Sequence, residues 1–240
     1  MQLNISKTQE DLITAIADYF IKTGNAAIAG KNTFNVALAG GGSPKKLYEL
    51  LAMPAYKNKI DWAKVSFFFG DERYVPSDDP QSNALMVQKA LFTPLAIADT
   101  QIFKVDTTLS PNEAAKKYQK TIVAHFRKKP ICFDLILLGL GDNAHTASLF
   151  PFTPVLSAKT ATVKAVFLKE QNVFRITMTA PLINHAKHIA FLVFGKEKAE
   201  AVHQILYEAR DIEKYPAQLI KPTDGEVTWF LDEAAALDIV

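Results

Sequence analysis

Apolar runs without polar alternation recur along the chain, separated by stretches with helical periodicity. The pattern is clearest at residues 34–39, 65–69 and 134–138, each of which is followed by glycine. Uninterrupted apolar runs are typical of parallel strands, because both faces of a parallel sheet are usually covered. Further strands are predicted at 102–105, 163–168, 173–179, 189–194 and 227–230.

Helical spacing fills most of the segments between these runs. Ser6 and Gln9 form the pattern of a capping box, and apolar residues from Leu12 to Phe20 then recur at helical intervals. Alternating strands and helices predict a three-layer, Rossmann-like α/β fold with a mostly parallel sheet and helices on both faces. The chain contains no repeat, low-complexity segment or flexible linker, so we expect residues 1–240 to form a single domain. Further helices are predicted at 44–53, 82–92, 111–129 and 196–206, with a short acidic, alanine-rich helix after the last strand.

Four loops follow the carboxyl ends of predicted strands, where open α/β sheets bind their ligands. They cover residues 40–44, 70–82, 139–151 and 195–198. We therefore look for chemistry in these loops first.

The first of these loops, residues 40–44, is rich in glycine and lies between a strand and a helix. Gly41 and Gly42 allow a ligand to approach the backbone closely, while Ser43 and Pro44 suit the N-cap and first turn of a helix. Free backbone N–H groups and the helix dipole favour an anion such as phosphate at this position. The sequence matches neither a Walker loop nor a dinucleotide fingerprint. A tight turn before a capped helix remains an alternative interpretation.

The second loop carries Asp71, Glu72 and Arg73 directly after a strand of three phenylalanines. A carboxylate there can bind sugar hydroxyls, and an arginine can hold a phosphate through a bidentate fork. Ser82 is a natural N-cap for the next helix, whereas Asn83 can face the site.

The third loop, which we call the histidine loop (residues 139–151), carries the strongest functional signal. Two glycines are followed by Asp142 and Asn143, and then by His145 with Thr146 and Ser148. Histidine suits general-base catalysis because its ordinary pKa lies near neutrality. The other four histidines lack such a setting, and we interpret them as structural or surface residues.

Two further cations lie close to predicted strand ends. Arg175 interrupts an apolar strand, so it needs either a partner such as a ligand phosphate or an exposed edge position. Lys198 opens a helix after Gly195, and it either reaches a phosphate or belongs to an exposed helix face.

Composition excludes several classes of protein. The formal net charge is +2, and no basic block or charged tail indicates a nucleic-acid surface. The run from Arg127 to Lys129 suits the end of a helix, where cations interact favourably with the dipole. Cys132 is the only cysteine, so no internal disulfide is possible, and its apolar surroundings predict a structural thiol.

The first residues lack a signal-peptide pattern, and no apolar stretch is long enough to span a bilayer, so we expect a cytoplasmic protein.

Taken together, the four loops resemble the 6-phosphogluconolactonase family, within the superfamily that includes glucosamine-6-phosphate deaminases. The matching segments appear in the family's order over most of the chain, and the segment from His145 to Pro151 is the most specific. They are Gly41–Pro44, Gly70–Arg73 with Val75–Pro76, Ser82–Asn83, His145–Pro151, Arg175–Thr177, and Gly195 with Lys198–Ala199.

The resemblance implies a fold of the NagB, RpiA and CoA-transferase type, without a metal or an organic cofactor. It implies hydrolysis of 6-phospho-D-glucono-1,5-lactone in the oxidative pentose phosphate pathway, with His145 as the catalytic histidine. Asp71 and Arg73 correspond to the family's acidic-loop residues, and the segment Gly41, Gly42, Ser43 to its phosphate-binding loop. We further expect Arg175, Lys198 and Asn83 to contact the substrate. The expected partner is a small phosphosugar lactone, with neither nucleic acid nor membrane, bound by a monomer or homodimer.

One departure from the family concerns the residues just before His145. Members commonly have Asp-Gly where this chain has Asn143 and Ala144, so the histidine is oriented either by the uncharged Asn143 or by Asp142. A positive φ at Ala144 would be strained.

Two alternative functions follow from the same residues. One is a glucosamine-6-phosphate deaminase, but Phe150 occupies the position of the glutamate typical of that branch, and Arg73 replaces its tyrosine. The other is a non-catalytic sugar-phosphate-binding module, such as the sensor domain of a DNA-binding regulator, although no helix-turn-helix segment is present.

Overall fold

A computed structural model describes residues 1–127 and 130–239. Its main sheet has six parallel strands in the order β1-β9-β8-β5-β2-β3, as the apolar runs predict. A smaller sheet, β4-β7-β6, is antiparallel. The strands are β1 Gln2–Ser6, β2 Phe34–Leu38, β3 Val65–Phe69, β4 Asp71–Arg73, β5 Leu135–Gly139, β6 Val163–Leu168, β7 Val173–Met178, β8 His188–Val193 and β9 Glu226–Asp232.

Helices cover both faces of the main sheet, and successive strand residues pack into different cores. Phe67 and Phe69 of β3 pack into a core with the first two helices, while Phe68 between them packs into a second core with the fourth helix and the small sheet. Burial on both faces explains why the strands read as continuous apolar runs. The α-helices are α1 Gln9–Lys31, α2 Gly42–Ala52, α3 Asn83–Val87, α4 Pro111–His125, α5 Ala180–Ile183 and α6 Ala199–Leu206. None of the helices in the described residues is long and apolar enough to cross a membrane.

Several predicted boundaries were wrong. Ser6 belongs to β1, and Thr8 caps α1 instead by accepting a hydrogen bond from the Asp11 N–H at 3.1 Å. The strand predicted at 102–105 is reduced to one bridge between Ile102 and Phe67. Residues 233–239 form turns rather than a helix. The helix that begins at Pro111 ends at His125, and the predicted extension over Lys128 and Lys129 lies outside the described residues.

The sheet order places the four candidate loops side by side. Strands β8, β5, β2 and β3 are consecutive in the sheet and parallel, so their carboxyl ends share one edge. The loop after each of these strands is one of the four predicted from the sequence.

Candidate active site

A cavity of about 240 Å³ opens at this edge of the sheet. Of the residues predicted to form the site, seven line the cavity: Gly41, Gly42, Ser43, Asp71, Arg73, His145 and Lys198. They come from all four loops and from parts of the chain up to 157 positions apart. Asn83, Arg175, Asp142 and Asn143 are not among the lining residues in the described part of the chain.

The glycine loop (residues 40–44) presents backbone rather than side chains to the cavity. Gly41 has a φ of 103° and is the N-cap of α2, so the helix begins at Gly42, and the prediction that Ser43 is the N-cap was wrong. The N-cap makes no side-chain hydrogen bond, and the N–H groups of the first turn have no partners within the helix. These N–H groups and the helix dipole give this wall of the cavity a preference for anions.

Two buried side chains, Tyr48 and Asn83, hold the backbone at the start of the glycine loop in place. The Tyr48 hydroxyl donates to the Ala39 carbonyl at 2.9 Å and accepts from the Ala39 N–H at 3.0 Å. The Asn83 side chain lies against Gly40, where a Cβ would stand 1.9 Å from the Asn83 Oδ1. Asn83 also donates to the Asp71 carbonyl at 3.0 Å, so it supports the cavity wall instead of facing the cavity.

Glu72 has a structural role that the sequence did not reveal. Its buried carboxylate accepts backbone hydrogen bonds from Arg73 at 2.8 Å, Asn83 at 2.7 Å and Ala84 at 2.8 Å. Burial raises the pKa of Glu72 to about 7, although these three hydrogen bonds act in the opposite direction. Glu72 thus ties β4 to the start of α3, while the Ser82 hydroxyl caps the same helix by accepting from the Leu85 N–H.

Asp71 lies beside Glu72 but points to the opposite face of β4, towards the cavity. The residue is 9% exposed, and its carboxylate accepts a hydrogen bond from the Ser148 hydroxyl at 2.6 Å. Burial raises the pKa of Asp71, opposed first by the Ser148 hydrogen bond and then by the charges of Arg73 and Arg175.

The two arginines are directly opposite each other on neighbouring strands. Arg73 of β4 pairs in register with Arg175 of β7. Like charges in this arrangement repel each other, and such a pair is stabilised by nearby anions. Arg73 donates to the Gln81 carbonyl at 3.1 Å and lines the cavity, whereas Arg175 donates to the Gln171 side chain at 3.3 Å and is not among the lining residues.

His145 lines the cavity, and one of its two ring nitrogens is hydrogen-bonded within the histidine loop. Its Nδ1 lies 2.5 Å from the Asn143 Oδ1, and its ring stacks on Phe150 with the centroids 3.9 Å apart. Since Oδ1 is an acceptor, Nδ1 carries the proton, and the lone pair of the neutral ring is on Nε2. Gly141 is required beside the ring, because a Cβ there would stand 2.0 Å from the imidazole.

The surroundings of His145 favour its neutral form. Burial, followed by the positive charge of Lys198, lowers the pKa of His145 to about 4. Arg73 and Arg175 act in the same direction, and Asp142 opposes them. The ring is therefore uncharged at neutral pH and available as a base.

The backbone of the histidine loop is strained at two alanines. Ala144 has a φ of 59° and Ala147 a φ of 48°, a left-handed conformation that costs a residue with a Cβ about 1–2 kcal/mol. Strain of this kind persists only where the surrounding contacts impose it. Here Gly141 accepts from the Ala144 N–H at 3.0 Å and donates to the His145 carbonyl at 2.8 Å, while Thr146 donates to the Gly139 carbonyl at 2.8 Å.

Asp142 and Asn143 have separate partners. Asn143 contacts the His145 ring, whereas the exposed Asp142 carboxylate pairs with the Lys198 ammonium group. Lys198 follows a turn at Gly195, whose φ is 97° and whose N–H donates to the Asp232 carboxylate at 3.1 Å. Asp232 is thus a supporting residue that no sequence pattern indicated.

The remaining candidates for chemistry lie elsewhere. His125 contacts the Asn35 side chain at 2.8 Å among aromatic rings, and burial lowers its pKa. Cys132 is a partly buried free thiol. In residues 1–127 and 130–239, no three histidine, cysteine or acidic side chains are grouped as metal ligands would be.

Comparison with known proteins gives consistent relatives. The family model of glucosamine-6-phosphate isomerases/6-phosphogluconolactonase matches residues 7–229. A 6-phosphogluconolactonase of Synechocystis is 40% identical over 213 residues, which cover 87% of this chain and 86% of that protein. The structure of a 6-phosphogluconolactonase from Trypanosoma cruzi is similar with a TM-score of 0.89 at 27% identity, covering 100% of this chain and 97% of that one. A monomeric glucosamine-6-phosphate deaminase is similar with a TM-score of 0.84 at 25% identity, covering 99% of this chain and 100% of that one.

Proposed function

The chain belongs to the family of glucosamine-6-phosphate isomerases and 6-phosphogluconolactonases, and from that premise we propose that it is a 6-phosphogluconolactonase. The enzyme hydrolyses 6-phospho-D-glucono-1,5-lactone to 6-phospho-D-gluconate in the oxidative pentose phosphate pathway. The observation that carries the proposal is a neutral histidine in the same cavity as a helix N-terminus and two cationic side chains.

We propose that the substrate phosphate binds at the glycine loop. The N–H groups of Gly42 and Ser43 donate to it, and Lys198 exchanges its partner Asp142 for the phosphate. Arg175, opposite Arg73 on β7, adds positive charge, while Asp71 accepts hydrogen bonds from sugar hydroxyls.

The chemical step begins with proton transfer from water to Nε2 of His145. The resulting hydroxide attacks the lactone carbonyl carbon, C1, and a tetrahedral oxyanion forms. Arg73 lines the cavity and stabilises that negative charge. The bond from C1 to the ring oxygen then breaks, and the imidazolium returns its proton to the leaving oxygen, which completes the hydrolysis and restores neutral His145.

Phe150 distinguishes this site from a deaminase site. Its ring stacks on the imidazole at 3.9 Å, in the position where the deaminase branch would carry a glutamate. An apolar ring favours the uncharged imidazole, whereas a carboxylate would stabilise the imidazolium. The neutral imidazole is the form that acts as a general base.

The test is an assay with freshly generated 6-phosphogluconolactone, coupled to oxidation of the product and corrected for spontaneous opening of the lactone. We expect a rate well above the spontaneous one, and no release of ammonia from glucosamine 6-phosphate. A rate equal to the spontaneous one would leave a non-catalytic sugar-phosphate-binding module as the better interpretation, and ammonia release would indicate the deaminase.

The proposal includes the setting in which the enzyme works. Residues 1–240 form one sugar-phosphate-binding domain that acts in the cytoplasm as a monomer or homodimer. Its partner is a small molecule rather than nucleic acid or a membrane. Gel filtration with light scattering, in the presence of the product, measures the oligomeric state.

A further inference from the structure

Ser148 connects three parts of the site that are distant in sequence. It lies three residues after His145 and is 1% exposed. Its hydroxyl donates to the Asp71 Oδ2 at 2.6 Å, and its backbone N–H donates to the Thr177 Oγ1 at 3.2 Å. Asp71 and Thr177 are themselves paired in register on β4 and β7. One residue of the histidine loop is therefore bonded to both strands that carry the arginines.

The contact with Asp71 stands out because Ser148 is the single hydrogen-bond donor to that carboxylate among residues 1–127 and 130–239. Within the described part of the chain, Ser148 is the one side chain that hydrogen-bonds it, and neither arginine approaches it within ion-pair distance. The charged groups around Asp71 are Arg73 and Glu72 of β4 and Arg175 of β7. The titratable hydroxyl of Tyr48 on α2 is also near enough for the Asp71 charge to raise the pKa of that hydroxyl. A buried carboxylate with a single donor depends strongly on that donor.

The neighbouring hydroxyl groups have local partners. Thr146 donates to Gly139, which belongs to the strand that leads into the same loop. Ser157 donates to the Pro154 carbonyl at 2.9 Å within its own short helical turn. Ser148 differs because its partner is 77 positions away, on a strand of the other sheet.

We propose that Ser148 is a positioning residue that couples the histidine loop to Asp71, so that the base and the carboxylate keep one fixed arrangement during the reaction. This inference rests on the proposed lactonase function. Without the hydroxyl, Asp71 loses the donor that favours its ionised form. The loop that carries His145 then keeps only one of these two hydrogen bonds to the small sheet, from the Ser148 N–H to Thr177. Misplacement of a catalytic group by about 1 Å can slow a reaction about a hundredfold.

The experiment compares Ser148→Ala with Ser157→Ala, a matched loss of a hydroxyl on an exposed turn. We expect kcat to fall about tenfold or more in Ser148→Ala and to remain unchanged in Ser157→Ala. In the Asp71→Ala background, Ser148→Ala should cause little further loss, because the acceptor of the Ser148 hydroxyl is already removed. Equal losses in both backgrounds would overturn the proposal.

A second readout does not depend on turnover. The carboxyl carbon of Asp71, assigned in ¹³C NMR spectra through Asp71→Asn, should titrate at higher pH in Ser148→Ala than in the wild type. An unchanged titration would overturn the proposal even if kcat fell. If Ser148→Ala does not fold, Ser148→Cys retains nearly the same volume with a weaker donor and should shift the titration in the same direction. A wild type that titrates as expected but does not hydrolyse the lactone would refute the proposed function and leave this coupling intact.

Discussion

The glycine loop and the histidine loop line the same cavity but are built in opposite ways. The glycine loop presents backbone N–H groups at the start of α2. The residue with a positive φ in this loop is Gly41, and glycine adopts this conformation without strain. The histidine loop offers a side chain, and its unusual conformations fall on alanines. Its geometry therefore depends on side-chain contacts, both within the loop, from Asn143 to the ring, and with another segment, from Ser148 to Asp71.

This difference indicates that the glycine loop mainly binds the substrate and the histidine loop mainly carries out the chemical step. An anion site made of backbone changes little when nearby side chains change, so we expect its variants to alter KM more than kcat. A base held by side-chain contacts is sensitive to each contact, so we expect variants of the histidine loop to alter kcat or its pH dependence.

The largest effect should come from His145→Ala. General-base catalysis contributes about a hundredfold to ten-thousandfold, so kcat should fall by about a thousandfold. Binding of 6-phosphogluconate, measured by calorimetry, should stay close to the wild-type affinity because the glycine loop is untouched. Near-full turnover in this variant would contradict the role of the histidine loop.

Lys198→Ala should affect substrate binding more than the chemical step, the opposite of His145→Ala. Loss of a charge-assisted hydrogen bond to phosphate should raise KM by about tenfold to a hundredfold, with a smaller change in kcat. Lys196→Ala removes an exposed lysine from the same turn and serves as the matched control. A fall in kcat without a change in KM would remove Lys198 from the phosphate site.

Asn143→Asp should shift the pH dependence of kcat. A carboxylate at Nδ1 stabilises the imidazolium and raises the pKa of His145 above its wild-type value of about 4. His145 works as the neutral base, so activity is lost as the pH falls through that pKa, and the acid limb of the profile should move to higher pH. Asp142→Asn removes a group that raises the same pKa and should move the limb the other way.

These profiles should be recorded at saturating lactone, so that ionisation of the free substrate phosphate does not enter. If both variants moved the acid limb in the same direction, the electrostatic account of His145 would be wrong.

The smallest effects concern backbone strain. Gly41→Ala places a Cβ at a φ of 103° and should lower the free energy of unfolding by about 1 kcal/mol or more. Ala147→Gly relieves strain at a φ of 48°, but it also makes the unfolded chain more flexible, so a gain below about 1 kcal/mol is expected. Urea denaturation measures both, and a loss of about 1 kcal/mol or more in Ala147→Gly, the full entropic cost of the glycine, would show that the loop is not strained there.

The parts of the molecule that were predictable are those that rest on local pattern. Strand β3 contains three consecutive phenylalanines because its residues pack into cores on both faces of the sheet. The ends of such strands must meet along one edge, so the four loops could be chosen from sequence alone.

The contacts that were not predictable depend on tertiary approach. Strand β4 has three residues and exists through its pairing with β7, which no local pattern encodes. The pair of Lys198 with Asp142 joins two loops 56 positions apart, and Asn83 was assigned to the site because its position in the chain does not show which way it faces. The start of α2 at Gly42 follows from the backbone conformation of Gly41, whereas the side chains favour Ser43 as the cap.

The central claim is that the histidine loop delivers a neutral imidazole with its Nε2 free to accept a proton. Nitrogen NMR of the ligand-free protein at pH 7, with the His145 signals assigned through His145→Ala, tests it directly. We predict an uncharged ring that is protonated on Nδ1, as the contact with Asn143 requires. A doubly protonated ring at pH 7, or a neutral ring with the proton on Nε2, would contradict the account.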